Sequence, residues 1–178
     1  MTAGVAIDAD RFRRLMAGVC APVTIVTAMH NGRPHGATVS SFASLSLEPP
    51  LISIAFQRTA MMLQRVEDTG RFGVNLLGHA QEDLARLFAQ RGADRFADTS
   101  WRVDTELPRL DSAAGWMVCE LYREVDAGDH VLLFGLVTGA STSDLPPLVY
   151  AHRTFGTHSG FDRRPRRPIV DQIAACSH

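Results

Sequence analysis

Residues 35–51 read HGATVSSFASLSLEPPL, in which Thr38, Ser40, Ser41, Ser44 and Ser46 interleave with Val39, Phe42, Leu45 and Leu47. A strand that only fills a core has no need of so many hydroxyls. Each one carries a donor and acceptor lone pairs, and backbone groups at a strand end stay unpaired unless something takes them up. Gly36 frees the backbone for close approach by a ligand. The segment suits a flat heteroaromatic ring with hydrogen-bonding groups along one edge and a phosphorylated side chain. It equally suits a polar edge strand whose hydroxyls face water. Downstream, Arg58 and Thr59 lead into a helical pattern that opens at Ala60. A helix start offers free N–H groups to an anion, and Arg58 adds a full positive charge. An ordinary strand-to-helix connection capped by Thr59 has the same pattern. His130 follows Gly128-Asp129 and precedes an apolar run.

Other chemistries lack their motifs. The sequence contains no G-x-G-x-x-G, no G-x-x-x-x-G-K-[ST], no G-x-S-x-G and no H-E-x-x-H. Cys20, Cys119 and Cys176 are widely spaced, with no C-x-x-C pair, which frames neither a disulfide set nor a zinc site. Cys119 reads as a core residue within a strand. His152 and His158 lie in a loop-like region and do not make a metal site, so no metal is expected. All 18 basic residues are arginine. Lysine chemistry is therefore absent, and a bound phosphate must be met by arginine, hydroxyls or backbone N–H groups.

Composition sets the remaining bounds. A chain of 178 residues favours one domain with a sizeable core. Hydrophobic content of 46% and charged content of 21% are those of an ordinary globular protein. The formal net charge of -1 gives no global field for nucleic acid or an acidic membrane. The N-terminus is too poor in apolar residues for a signal peptide, and no apolar run approaches the roughly 18 residues of a membrane span. A soluble cytoplasmic protein is expected.

The elements that must position these residues follow from periodicity. Residues 8–18 read as a helix capped by Asp8, with Phe12, Leu15, Met16 and Val19 on one face. Residues 23–28 (VTIVTA) and 34–40 read as strands joined by a turn at 30–33, and 51–57 (LISIAFQ) as another strand. Helices are predicted over 60–69, with Met62, Leu63 and Val66 on one face and Gly70 as cap, and over 79–90, with Leu84, Leu87 and Phe88 inward. Between them 72–77 (FGVNLL) is a strand. Residues 91–109 are polar and irregular, apart from a short strand at 101–103. Residues 115–125 and 130–138 form a hairpin around 126–129, and 131–137 reads as a central strand covered on both faces. Another strand covers 148–150. About eight strands and three clustered helices exclude a doubly wound fold and favour a mostly antiparallel barrel with helical insertions. Residues 1–162 form the domain, and 163–178 an Arg/Pro-rich tail.

These motifs, in this order, resemble the flavin reductase-like, FMN-binding split-barrel family, and most of all the short reductase components of two-component flavin-dependent monooxygenases. VTIVTA is followed by HGATVSSFASLSLEPP, then FGVNLL, then Arg95-Phe96, then AGDH at 127–130 and PLVY at 147–150. The match runs from about residue 12 to residue 161. Ala21-Pro22 stands where the family often has a glycine, Val39 stands where it often has an asparagine, and the segment after Tyr150 keeps its late pattern only in part.

The resemblance implies a mostly β, Greek-key split barrel. It implies that Ala37, Thr38, Val39, Ser40 and Ser41 line the flavin ring, largely through backbone N–H and C=O groups, with Ser44 and Ser46 near its edge or the ribityl chain. Phe56, Gln57, Arg58 and Thr59 would meet the ribityl phosphate. Arg95, beside Phe96, would contact a second phosphate or an adenylate. Asn75 would be a cofactor contact or a buried amide. Tyr150, Arg153 and Phe155 would close over the nicotinamide or belong to a subunit contact. His130 is the expected catalytic residue, touching the nicotinamide. The implied activity is an NAD(P)H:flavin oxidoreductase that reduces FMN or FAD by hydride transfer from NADH or NADPH. No protein acid or base is needed for the hydride itself, since the cofactors carry the difficult chemistry. A homodimer with flavin near its interface, and a separate oxygenase fed with reduced flavin, are the implied partners. A flavin-retaining oxidase or dehydrogenase on the same barrel, or a non-catalytic flavin-binding module, are the alternatives.

Overall fold

The computed structural model describes residues 7–90, 92 and 94–158, so the expected tail at 163–178 and Cys176 lie outside the described residues. Helix α1 (Ala9–Ala17) is capped by Asp8, whose carboxylate accepts from the Arg11 N–H at 3.0 Å. Its apolar residues do not pack inward. Phe12, Leu15 and Met16, with Val19 just beyond, are exposed, and the helix has no buried residue.

Strand β1 (Ala21–Pro22) precedes the hairpin of β2 (Thr24–His30) and β3 (Arg33–Val39). Asn31 and Gly32 both have positive φ there, the geometry that an Asn-Gly pair supplies. Strands β4 (Ala43–Leu47) and β5 (Pro50–Gln57) form a second hairpin that contains a cis Glu48–Pro49 bond. Helix α2 (Met61–Thr69) buries Met62, Leu63 and Val66 and ends on left-handed Gly70, as its spacing predicts. Strand β6 (Arg71–Leu76) follows, then α3 (Glu82–Ala89), which is shorter than predicted and buries Ala85 and Phe88. Strand β7 (Trp101–Asp104) is the short strand expected at 101–103, and it pairs in a small hairpin with β8 (Leu107–Leu110), which falls in the segment read as irregular. Strands β9 (Gly115–Ala127) and β10 (His130–Thr142) are the longest pair, and β11 (Val149–Ala151) and β12 (Thr154–Gly156) close the described chain.

Seven strands form one antiparallel sheet in the order β3-β2-β6-β9-β10-β5-β4, and β1-β11-β12 and β7-β8 form smaller sheets. The large sheet does not close, and the whole is a mostly β, open barrel. Residues Thr24 to Ala28 of β2 are all buried because the strand lies between two cores. Val26 joins Ile54, Val66, Phe72 and Leu133 on one side, while Ile25 joins Leu77, Phe88, Phe96 and Leu148 on the other. Strand β10 is central, as expected, but only one face is covered. Val131 and Leu133 are buried, whereas Leu132, Phe134 and Leu136 on the opposite face are half-buried. Cys119 lies in the first core, where burial pushes its thiol up to about 12, so it is no nucleophile at neutral pH.

Candidate functional site

The antiparallel register of β5 and β10 sets His130 opposite Gln57. The beginning of one strand thus meets the end of the other, where α2 starts. Around this junction opens a cleft of about 630 Å³. Part of its lining is small side chains, Ala37 from β3, Ala55 from β5 and Ala60 at the head of α2. Phe56, Gln57, Thr59 and Met62 continue the wall, Phe88 and Ala89 at the end of α3 face them, and Arg95 and His130 bring polar groups. The volume is that of a small-molecule site, and its lining mixes apolar side chains with the polar groups of Gln57, Thr59, Arg95 and His130. Six of the residues expected at the site are therefore brought together: Ala37, Phe56, Gln57, Thr59, Arg95 and His130.

The electrostatics follow from local folding. Helix α2 begins at Ala60 with no side-chain cap, and its first turn holds no acidic residue. Its N–H end thus favours an anion. The alternative reading of Thr59 as a helix cap does not hold, since the N-cap is Ala60 and makes no side-chain cap hydrogen bond. Arg95 donates from Nη1 to the Gly36 carbonyl at 2.6 Å and from Nε to the Gln90 carbonyl at 3.1 Å. Gln90 is the C-cap of α3, so Arg95 ties that helix end to β3. Burial draws the Arg95 guanidinium down from the ordinary arginine value. His130 Nδ1 lies 2.8 Å from Asp129 Oδ1. This hydrogen bond holds the Asp129 carboxyl below its ordinary value. An ionised carboxylate only accepts, so Nδ1 carries the proton and the other ring nitrogen is left for a ligand.

The side chains of other expected residues are engaged elsewhere. Thr38 donates its hydroxyl to the Ala85 carbonyl at 2.7 Å, and Val39 is buried in the first core. Ser41 Oγ accepts from the Ala55 N–H at 2.8 Å and donates to the Ala55 carbonyl at 3.1 Å, which fastens the β3–β4 bend onto β5. Ser40 and Ser44 are exposed and Ser46 is half-buried, and none of the three lines the cleft. Arg58 is turned to the β9–β10 hairpin, donating from Nη1 to Asp126 at 2.6 Å and from Nε to the Gly128 carbonyl at 3.1 Å.

Asn75 corrects the expectation of a cofactor contact. It is fully buried, donates to the Ile25 carbonyl at 3.1 Å and accepts from the Leu110 N–H at 2.8 Å. Its amide joins β2, β6 and β8 and reaches no cleft. Gly36 is also structural. A Cβ there would lie 2.8 Å from the Phe88 ring and 3.2 Å from Phe96, so the missing side chain makes room for two aromatic rings rather than for a ligand. Phe96 packs edge-on against Phe88 and Trp101. Tyr150 and Phe155 stack at 4.9 Å, with Arg86 over Phe155. Arg153 lies in the β11–β12 turn beside α1, so these three share no cleft with His130.

The sequence reading missed Ala55, Ala60, Met61, Met62, Phe88 and Ala89. Met61 had a signal. It is a large apolar residue at the first turn of a helix, off that helix's buried face, and it is 69% exposed.

A family model described as the flavin reductase like domain matches residues 16–159. A "Probable flavin reductase" of Rhizobium meliloti (strain 1021) is 35% identical over 159 residues, covering 88% of this chain and 51% of that protein. The reductase subunit HsaB of a flavin-dependent monooxygenase from Mycobacterium tuberculosis (strain CDC 1551 / Oshkosh) is 32% identical over 169 residues, covering 91% and 87%. A solved structure of the NADH:FAD oxidoreductase SgcE6 from Streptomyces globisporus, in complex with NAD and FAD fragments, superposes with a TM-score of 0.83. It shares 30% identity and covers 91% of this chain and all of that one. The chain spans about half the length of the first two curated relatives it matches.

Proposed function

The chain belongs to the flavin reductase like family and has its split-barrel fold, and from that premise we propose that it is an NAD(P)H:flavin oxidoreductase that supplies reduced flavin to a separate monooxygenase. The observation that carries this reading is the cleft itself. It joins the small side chains of Ala37, Ala55 and Ala60 to an uncapped helix start and to His130. A planar ring lies on small side chains without a clash, its phosphate meets the N–H end of α2, and an oriented imidazole stands at the edge. The SgcE6 structure with NAD and FAD fragments supports the same pairing of ligands.

Flavin, once bound, supplies the redox chemistry by accepting a hydride from reduced nicotinamide. The chain's own residues align and shield. Ala37, Ala55 and Phe88 exclude water from one side of the cleft. Thr59 and the first N–H groups of α2 hold the phosphate, while Arg58, paired with Asp126, ties the start of α2 to the β9–β10 turn. His130, fixed by Asp129, aligns the nicotinamide amide through its free nitrogen. Alignment matters because productive transfer needs reacting atoms about 3–3.5 Å apart.

The exposed apolar surface favours a homodimer that completes the site. Leu45 and Leu47 on edge strand β4 are exposed, Leu47 by 87%, and they lie at the end of the sheet beside β5, with β10 and its half-buried outer face one strand further in. Burial of these residues against a second copy would also bring cover to the open rim near Ser40 and Ser44. No helix among the described residues is long and apolar enough to cross a membrane.

The test is turnover. Purified protein is mixed with NADH or NADPH and an excess of free FMN, FAD or riboflavin, and loss of the reduced-nicotinamide absorbance is followed. Oxidation that depends on added flavin is expected. Flavin bound one per chain with no nicotinamide oxidation would overturn the reading in favour of a binding module.

A further inference from the structure

Helix α2 carries one large apolar residue that the fold does not use. Met62, Leu63 and Val66 face the core. Met61 lies on the opposite face, in line with Arg65 and Asp68 at i+4 and i+7. Its neighbours on that face are charged, and Met61 is 69% exposed among them. Single exposed apolar residues are ordinary on any protein, so it is the position of this one that matters.

Of the large apolar side chains exposed among the described residues, Met61 alone borders the cleft. It also borders the two hollows that adjoin the cleft. One, of about 230 Å³, lies toward Pro34 and His35, and the other, of about 460 Å³, lies toward Gln64 and Glu67. Met61 is the one described residue common to all three. Side chains on a helix lean toward its N-terminus. From the first position of α2, Met61 therefore reaches back toward Thr59 and Ala60, where the helix presents its free N–H groups. The facing walls are fixed. Ala37 and Ala55 have no rotamers to change, Phe88 is buried, and Arg95 is bonded to the Gly36 carbonyl. Methionine is the adaptable element among them, with three rotatable bonds and a polarisable sulfur that packs well on an aromatic ring.

We infer that Met61 is the gate of the cleft: its side chain folds across the mouth onto a bound flavin and sets how fast that flavin leaves. The inference rests on the flavin reading of the cleft and deepens it. A reductase that supplies a separate enzyme releases its reduced flavin in every cycle, so residence time governs its output. A side chain exposed in the empty protein and covered in the complex lengthens that residence without taking part in hydride transfer. Met61 packs on the portion that FMN and FAD share, so it acts on both alike and does not choose between them.

Flavin release by stopped flow and flavin affinity by fluorescence titration, on the unaltered protein and on Met61→Ala, Met61→Leu and Met61→Gln, test this. Met61→Ala is expected to raise both the release rate and the dissociation constant about tenfold, for FMN and for FAD, through the apolar area no longer covered. Met61→Leu keeps most of the affinity. Met61→Gln, of similar length but polar, behaves like Met61→Ala. Because the side chain is exposed, each variant keeps its melting temperature within about 2 °C. An unchanged release rate in Met61→Ala overturns the inference. So does a fall in melting temperature of more than about 4 °C, which would make Met61 a packing residue. A raised KM for NADH with flavin affinity unchanged also overturns it, since Met61 would then serve the nicotinamide. A second measurement uses the unaltered protein, isotope-labelled at the methionine methyl groups. The Met61 methyl resonance, identified by its absence in Met61→Leu, is expected to shift under the flavin ring current when FMN is added, and a resonance that stays in place overturns the inference. Failure of the unaltered protein to bind any flavin removes the cleft reading and this inference together, and the titration alone tells that result from the others.

Discussion

Arg58 Nη1 donates to Asp126 Oδ1 at 2.6 Å, and the Arg58 backbone N–H donates to the Asp129 carbonyl at 3.2 Å. The residue that leads into α2 is thereby fastened to the turn that carries His130. The start of α2 and the turn before His130 are coupled through one residue. The pair is largely exposed, at 45% and 79% for the two side chains, so it adds at most about 1 kcal/mol to stability. Asp126→Ala is expected to shift the melting temperature by less than about 4 °C. It should nevertheless raise the KM for NADH severalfold, with the dissociation constant for FMN nearly unchanged. A fall in stability with unchanged KM would show that the bond serves the fold and not the site.

His130 is placed by β5–β10 pairing and oriented by Asp129. His130→Ala is expected to raise the KM for the nicotinamide about tenfold, the loss of one good hydrogen bond. Flavin affinity should stay within about twofold, since the imidazole lies at the edge of the cleft. Steady-state kinetics beside a flavin titration checks both halves. An unchanged nicotinamide KM would refute the role.

Asn75 holds three strands together from a fully buried position. Asn75→Ala leaves the Leu110 N–H and the Ile25 carbonyl without their partner, and each buried orphan costs about 1–3 kcal/mol. The melting temperature should fall by more than about 4 °C. Flavin affinity of the folded fraction should not change. Selective loss of flavin binding with intact stability would restore Asn75 to the cofactor site.

His35 makes stability depend on pH. Its pKa lies below 6.5 in the folded chain, owing to burial first and then to Arg65, His30 and Arg33. The folded protein keeps this ring neutral at a pH where the unfolded chain takes up a proton. The unfolded state therefore binds more protons below 6.5, and stability falls as pH drops from 6.5 toward the folded pKa. Urea unfolding at several pH values should show this slope in the unaltered protein and a flatter one in His35→Asn. Identical slopes would show that His35 is not perturbed.

The sequence made some elements legible because their chemistry is local. Asn31-Gly32 announces its turn, and Met62, Leu63 and Val66 with Gly70 announce α2 and its end. The β7–β8 and β11–β12 hairpins were hidden for a physical reason. Their turns place Thr105 and Glu106, and His152 and Arg153, at positive φ, where Gly or Asn is the usual signal. At the site, Arg95 and His130 were legible through the family resemblance rather than through any local signal, and both line the cleft. The hydroxyls misled. Thr38 and Ser41 bond carbonyls of the chain's own backbone, and nothing local distinguishes that use from binding a ring. Gly36 misled in the same way, since the rings it accommodates belong to residues more than fifty positions along the chain.

The most direct measurement is a structure of the protein with FAD bound. The flavin ring is expected against Ala37, Ala55 and Ala60, with its phosphate at the start of α2 and His130 beside the open face. A flavin seated instead by Arg153 and α1, or a cleft filled by the chain's own side chains, would contradict the central claim.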